Sequence, residues 1–257
     1  MGATVCRAVT EDPELTLVAA LDPRMAGIDL SQASGIAGTG IQMLGSADAL
    51  EGSSIDVAVD FTKADAAFAN AMYCAKAGIH AVIGTTGMTH EQMETLAQAF
   101  GESSANCIVA ANFAIGAVLM MKFAEIAAPL FESVEIIELH HDNKVDAPSG
   151  TALSTAARIA ASRGDGIAAK DKTTSELLGA RGHLTEGQIR VHSLRIKGMV
   201  AHQEVIFGTT GQTLTIRHDS YDRTSFMPGV LLAIKSVASL EGLTVGLDQI
   251  IESALRG

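Results

Sequence analysis

Between Ile55 and Phe113 the chain alternates β-rich runs with helical ones, and this alternation constrains the fold more than any other feature. Ile55-Asp-Val-Ala-Val-Asp-Phe-Thr62 precedes a helical segment from Ala64 to Ala77, with Gly78 placed to end it in a left-handed conformation. Ile79-His-Ala-Val-Ile83 then runs into Gly84-Thr-Thr-Gly87. Thr89 and Gln92 have the spacing of a capping box and open a helix over Glu91 to Phe100. Cys107-Ile-Val-Ala-Ala111 is a third apolar run and leads into Asn112-Phe113. Strand and helix in strict alternation predict an α/β fold with a parallel, doubly wound sheet. Ligands of such sheets bind beyond the carboxyl ends of the strands. Gly84-Thr85-Thr86 and Ala110-Ala111-Asn112-Phe113 stand at those ends, although Gly-Thr-Thr-Gly alone reads equally as a turn.

The segment before this region reads as the second half of a βαβ unit. Gly2 to Val9 is expected to be helical, and Leu15-Thr-Leu-Val-Ala-Ala-Leu21 a buried strand ending in Asp22. In a dinucleotide-binding unit an acid at that point takes the adenosine ribose hydroxyls, while a Gly-rich turn before the helix holds the pyrophosphate. Neither that turn nor a strand ahead of it is in the sequence, and Asp22 by itself reads equally as a solvated loop acid. Arg24, two residues on, is placed to meet a 2′-phosphate. From Pro23 to Ser54 the pattern is weak, and loops with a short helix or strand are expected.

Reactive side chains concentrate in one stretch, Glu138-Leu-His-His-Asp-Asn-Lys-Val-Asp-Ala-Pro-Ser-Gly-Thr-Ala152. The run Val134 to Leu139 partly alternates, as a half-buried strand does. Gly150 to Ala161 is Ala-rich and helical in pattern, with Ser149 as its N-cap. The polar residues therefore lie on a strand-to-helix connection. The first amides of that helix, at Gly150 and Thr151, suit an anion. Lys144 adds a positive charge, and His140 and His141 exchange protons near neutral pH. Together they suit an anionic small molecule that needs a proton. A metal is disfavoured because adjacent residues on a strand point to opposite faces, which separates His140 from His141. The chain has no HExxH spacing, and Cys6, Cys74 and Cys107 form no CxxC pair.

Beyond the loop, Gly116 to Phe131 reads as an apolar helix and Gly164 to Gly187 as an irregular excursion. Gln188 to Arg195 reads as a strand, and Gln203–Phe207 with Gln212–His218 as a hairpin across Gly208-Thr-Thr-Gly211. Met227 to Leu240 is helical in pattern, and Leu243 to Leu255 a short strand and helix. The formal net charge of −11 argues against nucleic acid or an anionic membrane as partner. No apolar run reaches the roughly 20 residues of a membrane span. No signal peptide is visible, and three scattered cysteines suit a reducing compartment, so a cytoplasmic location is expected.

Glu-Leu-His-His-x-x-Lys-x-Asp-Ala-Pro-Ser-Gly-Thr-Ala closely resembles the signature of the 4-hydroxy-tetrahydrodipicolinate reductases of the diaminopimelate–lysine pathway. The resemblance extends to Gly84-Thr-Thr and Ala110 to Phe113, which match segments lining the nicotinamide side of the cofactor. It implies NADH or NADPH, bound by Asp22, Gly84, Thr85, Thr86, Ala110, Ala111, Asn112 and Phe113. It further implies hydride transfer to a cyclic imine bearing two carboxylates, with His140 as general acid. Lys144 would offset charge on the ring, His141, Gly150 and Thr151 would hold a carboxylate, and Asp146 would orient the loop. Arg223 is open to either ligand. The implied domains are 1–113 plus 224–257 for the dinucleotide, and 114–223 for substrate and oligomerisation. The first is Rossmann-like; the second is α+β with a largely antiparallel sheet, through which a homotetramer would pair. Members begin with a short strand and a Gly-rich turn of which Met1-Gly2 would be the last two residues. The sheet's first strand is thus missing from the sequence as written, and weak cofactor binding is expected. Two other readings are a catalytically impaired ligand-binding relative and a two-domain sugar or amino-acid dehydrogenase, which also pairs Lys with His beside a nicotinamide.

Overall fold

The computed structural model describes residues 1–50, 52–163, 171–174 and 177–256. The chain divides into two compact units, Met1–Phe113 with Phe226–Gly257, and Ala114–Ser225.

The first unit is built on a four-stranded sheet in the order β1 (Val57–Asp60), β2 (His80–Ile83), β3 (Cys107–Val109) and β9 (Leu243–Val245). Every pairing is parallel, so the carboxyl ends align: Asp60 is level with Ile83, and Ile83 with Val109. Helix α3 (Ala64–Ala77) buries Ala67, Ala71, Cys74 and Ala75, a narrow stripe of small residues at helical spacing. Asp65 in its first turn and Lys76 in its last complement the helix dipole, and Gly78 ends it at φ 70°. Helix α4 (His90–Gly101) opens on the Thr89–Gln92 capping box and buries Leu96 and Phe100, one turn apart. These side chains meet Ile83, Cys107 and Val109 in one core.

Helix α1 (Gly2–Glu11) forms as its pattern suggests, but Leu15–Leu21 is not a strand. Among the described residues it makes a single bridge, Leu21 to Leu44, and half of it is open: Val18 is 53% exposed. An apolar run becomes a strand only where a neighbour pairs with its backbone, and these residues find one partner. The stretch up to Ser54 holds a short helix α2 (Leu30–Ser34), capped by Asp29, and a 3₁₀ turn at Ala47–Leu50.

The second unit holds a five-stranded sheet ordered β5 (His183–Leu184), β6 (Arg190–Arg195), β4 (Ser133–His140), β7 (Ala201–Thr209) and β8 (Gln212–Ser220). Only β4 and β6 pair in parallel; the other contacts are antiparallel. Helices α5 (Ile115–Ala127) and α6 (Gly150–Arg163) cover one face, where Ile136, Val191, Val205 and Phe207 are buried. Strand β6 starts at Arg190 rather than Gln188, because Gln188 sits at φ 61° in the turn that joins β5 to β6. The irregular excursion expected over 164–187 lies partly outside the described residues; its described end holds β5.

Helix α7 (Met227–Ser236) returns to the first unit, followed by β9 and α8 (Asp248–Arg256). Gly229 on α7 lies so close to the chain after β3 that a Cβ there would stand 2.0 Å from the Phe113 carbonyl oxygen. Backbone cannot yield as a flexible side chain does. Gly229→Ala should therefore destabilise the protein by about 1–3 kcal/mol, the usual cost of overpacking, measured by chemical denaturation. An unchanged midpoint would show that α7 shifts freely.

Candidate active site

Glu138 organises the site in the second unit. Along β4 the buried positions alternate, Val134, Ile136 and Glu138, so parity carries a carboxylate into the covered face of the sheet. The parallel register sets Ser193 level with Glu138, and Arg195 with His140. The Arg195 guanidinium spans the carboxylate: Nη2 donates to Oε1 and Nη1 to Oε2, each at 2.9 Å. Oε1 also accepts the Ser149 amide at 3.2 Å, and Oε2 contacts His140 Nδ1 at 2.5 Å. Burial favours the neutral acid, but hydrogen bonds from Arg195, Ser193 and His140 outweigh it and hold Glu138 below the usual carboxylate range.

The His140 imidazole is pulled both ways. Burial lowers its pKa and Glu138 raises it, while Lys144 and Arg195 add to the lowering; the balance lies below the ordinary histidine value. Past His140 the chain turns, with the Lys144 amide donating to the His141 carbonyl. The His141 side chain is exposed. Lys144 Nζ reaches Asp146 Oδ1 at 2.8 Å, and Arg195 Nη2 donates to the Asp146 carbonyl at 2.7 Å. Asp146 thus ties both cations to the loop. The Ala147–Pro148 peptide is cis and leads to buried Ser149, whose Oγ accepts the Ala152 amide and caps α6. The amides of Gly150 and Thr151, one and two residues past the cap, have no protein acceptor among the described residues. They present the positive end of a 14-residue helix.

The structure therefore ties His140 and the start of α6 to one carboxylate, Glu138, while Lys144 is held on the same loop by Asp146 and His141 is exposed. Glu138 and Arg195 are the members that sequence reading passed over. The signal for Glu138 was its parity on β4, which places a charge among apolar positions. Arg195 lies 57 residues away, and nothing local marks it. Arg223 is exposed at the head of a 3₁₀ turn, Arg223–Phe226.

The other candidates lie in the first unit. Gly84 follows β2, and a Cβ there would stand 2.0 Å from Phe61, so only glycine admits that ring. Phe61 in turn meets Phe113, with ring centroids 5.5 Å apart. Thr85 is buried and donates from Oγ1 to the Thr62 carbonyl, while Thr86 is exposed. Ala110 is buried after β3, Ala111 is exposed and Asn112 half-buried. Asp22 accepts the Arg24 amide at 2.9 Å in a local turn. Small residues at aligned strand ends, beside an aromatic pair and near an exposed threonine, fit a nicotinamide cofactor, which needs close backbone approach and a flat apolar wall. Burial pushes the Cys74 thiol up to about 11 and Cys107 to about 12, so neither is a nucleophile. Among the described residues no cluster of three or more His, Cys, Asp or Glu side chains could hold a metal ion.

Residues 1–113 match the family described as dihydrodipicolinate reductase, N-terminus, and residues 116–251 match its C-terminus. A 4-hydroxy-tetrahydrodipicolinate reductase of Mycolicibacterium smegmatis is 49% identical, covering 98% of this chain and 95% of the relative. One of Corynebacterium urealyticum is 48% identical over 98% and 94%. Among solved structures, a dipicolinate-bound dihydrodipicolinate reductase from Paenisporosarcina sp. TG-14 has a TM-score of 0.86 at 41% identity, covering 97% of this chain and 94% of that one. An amine dehydrogenase from Mycobacterium smegmatis, at 14% identity and a TM-score of 0.60 over 95% and 92%, shares the fold alone.

With burial dominant, His140 should titrate below about 6.5, the ordinary histidine value. A dianion beside it should raise that midpoint, since nearby negative charge favours the imidazolium. NMR titration of the His140 ring with and without dianion checks both signs. A free-protein midpoint at or above the ordinary value would show that Glu138 outweighs burial.

Proposed function

The chain belongs to the dihydrodipicolinate reductase family, and from that premise we propose which residues perform the reduction. The protein is an oxidoreductase that reduces 4-hydroxy-tetrahydrodipicolinate with NADH or NADPH in the diaminopimelate route to lysine. When bound, the reduced nicotinamide supplies a hydride to the substrate ring. Asp22 would take ribose hydroxyls, and Gly84, Thr85, Thr86, Ala110, Ala111, Asn112 and Phe113 would line the nicotinamide side.

The net change is loss of the 4-hydroxyl as water together with gain of a hydride and a proton by the ring, and His140 delivers that proton from Nε2 as the imidazolium. Lys144 offsets negative charge that builds on the ring and strengthens binding of a dianion. One substrate carboxylate sits on the amides of Gly150 and Thr151, where helix dipole and free N–H groups act together. His141 adds a further donor to that carboxylate. One observation carries this reading: the same buried carboxylate holds both the His140 ring and the Ser149 amide that starts α6. Proton donor and anion site are thus fixed to one point. Asp146 orients the loop through Lys144 and Arg195.

No helix among the described residues is long and apolar enough to cross a membrane. We further infer a cytoplasmic homotetramer paired through the second sheet, whose edge strand β8 runs nine residues. Neither nucleic acid nor membrane is a partner in this reading, which the net charge of −11 supports.

His140→Ala should cut turnover by roughly 10²–10⁴-fold, the usual contribution of general acid catalysis, and leave substrate affinity nearly intact. His141→Ala should chiefly raise KM. Both are read from loss of nicotinamide absorbance with substrate generated in situ; normal turnover in the His140 variant ends the general-acid assignment. Dipicolinate, a planar dianion, should compete with substrate and weaken as salt rises. Lys144→Gln should weaken it further. Failure of dipicolinate to bind would remove the dianion site.

A further inference from the structure

We propose that Glu138 is the positioning residue of this site, fixing His140 as the Nδ1–H tautomer so that Nε2 alone is left to serve the substrate. The proposal rests on His140 being the general acid. It follows from counting donors. The two guanidinium nitrogens of Arg195 and the Ser149 amide can only donate, and all three point at the Glu138 oxygens. A carboxyl group so surrounded, with no exposure to water, is ionised and carries no proton of its own. The contact of 2.5 Å between Oε2 and His140 Nδ1 then has one donor available, the imidazole N–H. Nε2 meets no polar partner among the described residues.

The arrangement also sets when the ring carries its second proton. The charged groups around His140 are Glu138 on its own strand, Arg195 on β6, and Lys144 with its partner Asp146 on the loop. Burial and the two cations oppose the imidazolium, and Glu138 supports it. Neutralising Glu138 removes the support and keeps the opposition. The donor would then be deprotonated at pH values where the native enzyme still works. Ser149 extends the effect, because its amide binds the same carboxylate and its hydroxyl caps α6. The position of Gly150 and Thr151 is thereby referred to the position of His140. Arg195 contributes at both ends, to Glu138 and to the Asp146 carbonyl.

The test compares pH–rate profiles of the full chain as wild type, Glu138→Gln and His140→Ala, with dipicolinate affinity measured in each. In Glu138→Gln the limb of kcat/KM assigned to His140 should move to lower pH. At neutral pH kcat should fall at least ten-fold, towards the 10²–10⁴-fold that general acid catalysis supplies. Dipicolinate affinity should change only a few-fold. A purely structural glutamate would lower stability and amplitude and leave the limb in place, which overturns the proposal. ¹⁵N NMR of the wild-type His140 ring needs no variant: the Nδ1–H form is expected, and a dominant Nε2–H form overturns it. Normal turnover in His140→Ala would instead overturn the acid reading beneath. An inactive His140→Ala beside an unshifted Glu138→Gln profile sinks the positioning role alone.

Discussion

An ionised carboxylate out of contact with water is the constraint on which the second unit depends. Burying an unpaired charge costs several kcal/mol even after relaxation, and Glu138 meets that cost with donors from three separate segments. Arg195 comes from β6, Ser149 from the start of α6 and His140 from the same strand. None of these segments can move without leaving a buried charge short of partners. Removing one partner of such a pair typically costs about 3–5 kcal/mol, so the local geometry is held far more firmly than an exposed loop would be. In the proposed function this loop presents a proton donor and an anion site at fixed separation, and that role needs such firmness.

The first unit meets its requirements by different means. Its aligned strand ends carry small residues, and close approach of backbone replaces charge as the organising device. Gly84 exists to admit the Phe61 ring, and Phe61 packs on Phe113. Asp60, buried at the end of β1, is satisfied by Thr62 and Asn70, which holds the first strand end in shape. Gly229 lets α7 close over the chain leaving β3. A nicotinamide cofactor, large and flat with hydrogen-bonding edges, suits such a surface, whereas a small dianion suits the charged one.

Much of this was readable from the chain alone, and for local reasons. Helix α3 with its Gly78 stop, the Thr89–Gln92 capping box and the Ser149 cap depend on residues within one or two turns of each other. The parallel sheet followed from alternation, because strands separated by helices have little other way to pair. The signature loop carries its reactive groups within 15 consecutive residues, so His140, Lys144, Gly150 and Thr151 were legible as a group.

What the tertiary structure decided were the features that depend on distant partners. Leu15–Leu21 has the composition of a strand, yet a strand is a property of its neighbours, and among the described residues only Leu44 pairs with it. Glu138 on the page is one acid among many; only the register of β4 with β6 brings Arg195 to it across 57 positions. The same holds for the balance at His140, where the direction of the pKa shift is a contest between burial and charges from three segments. Propensity, capping and periodicity act within a few residues and are written in sequence. Desolvation and long-range charge pairing act through space, and only the folded chain sets their sign.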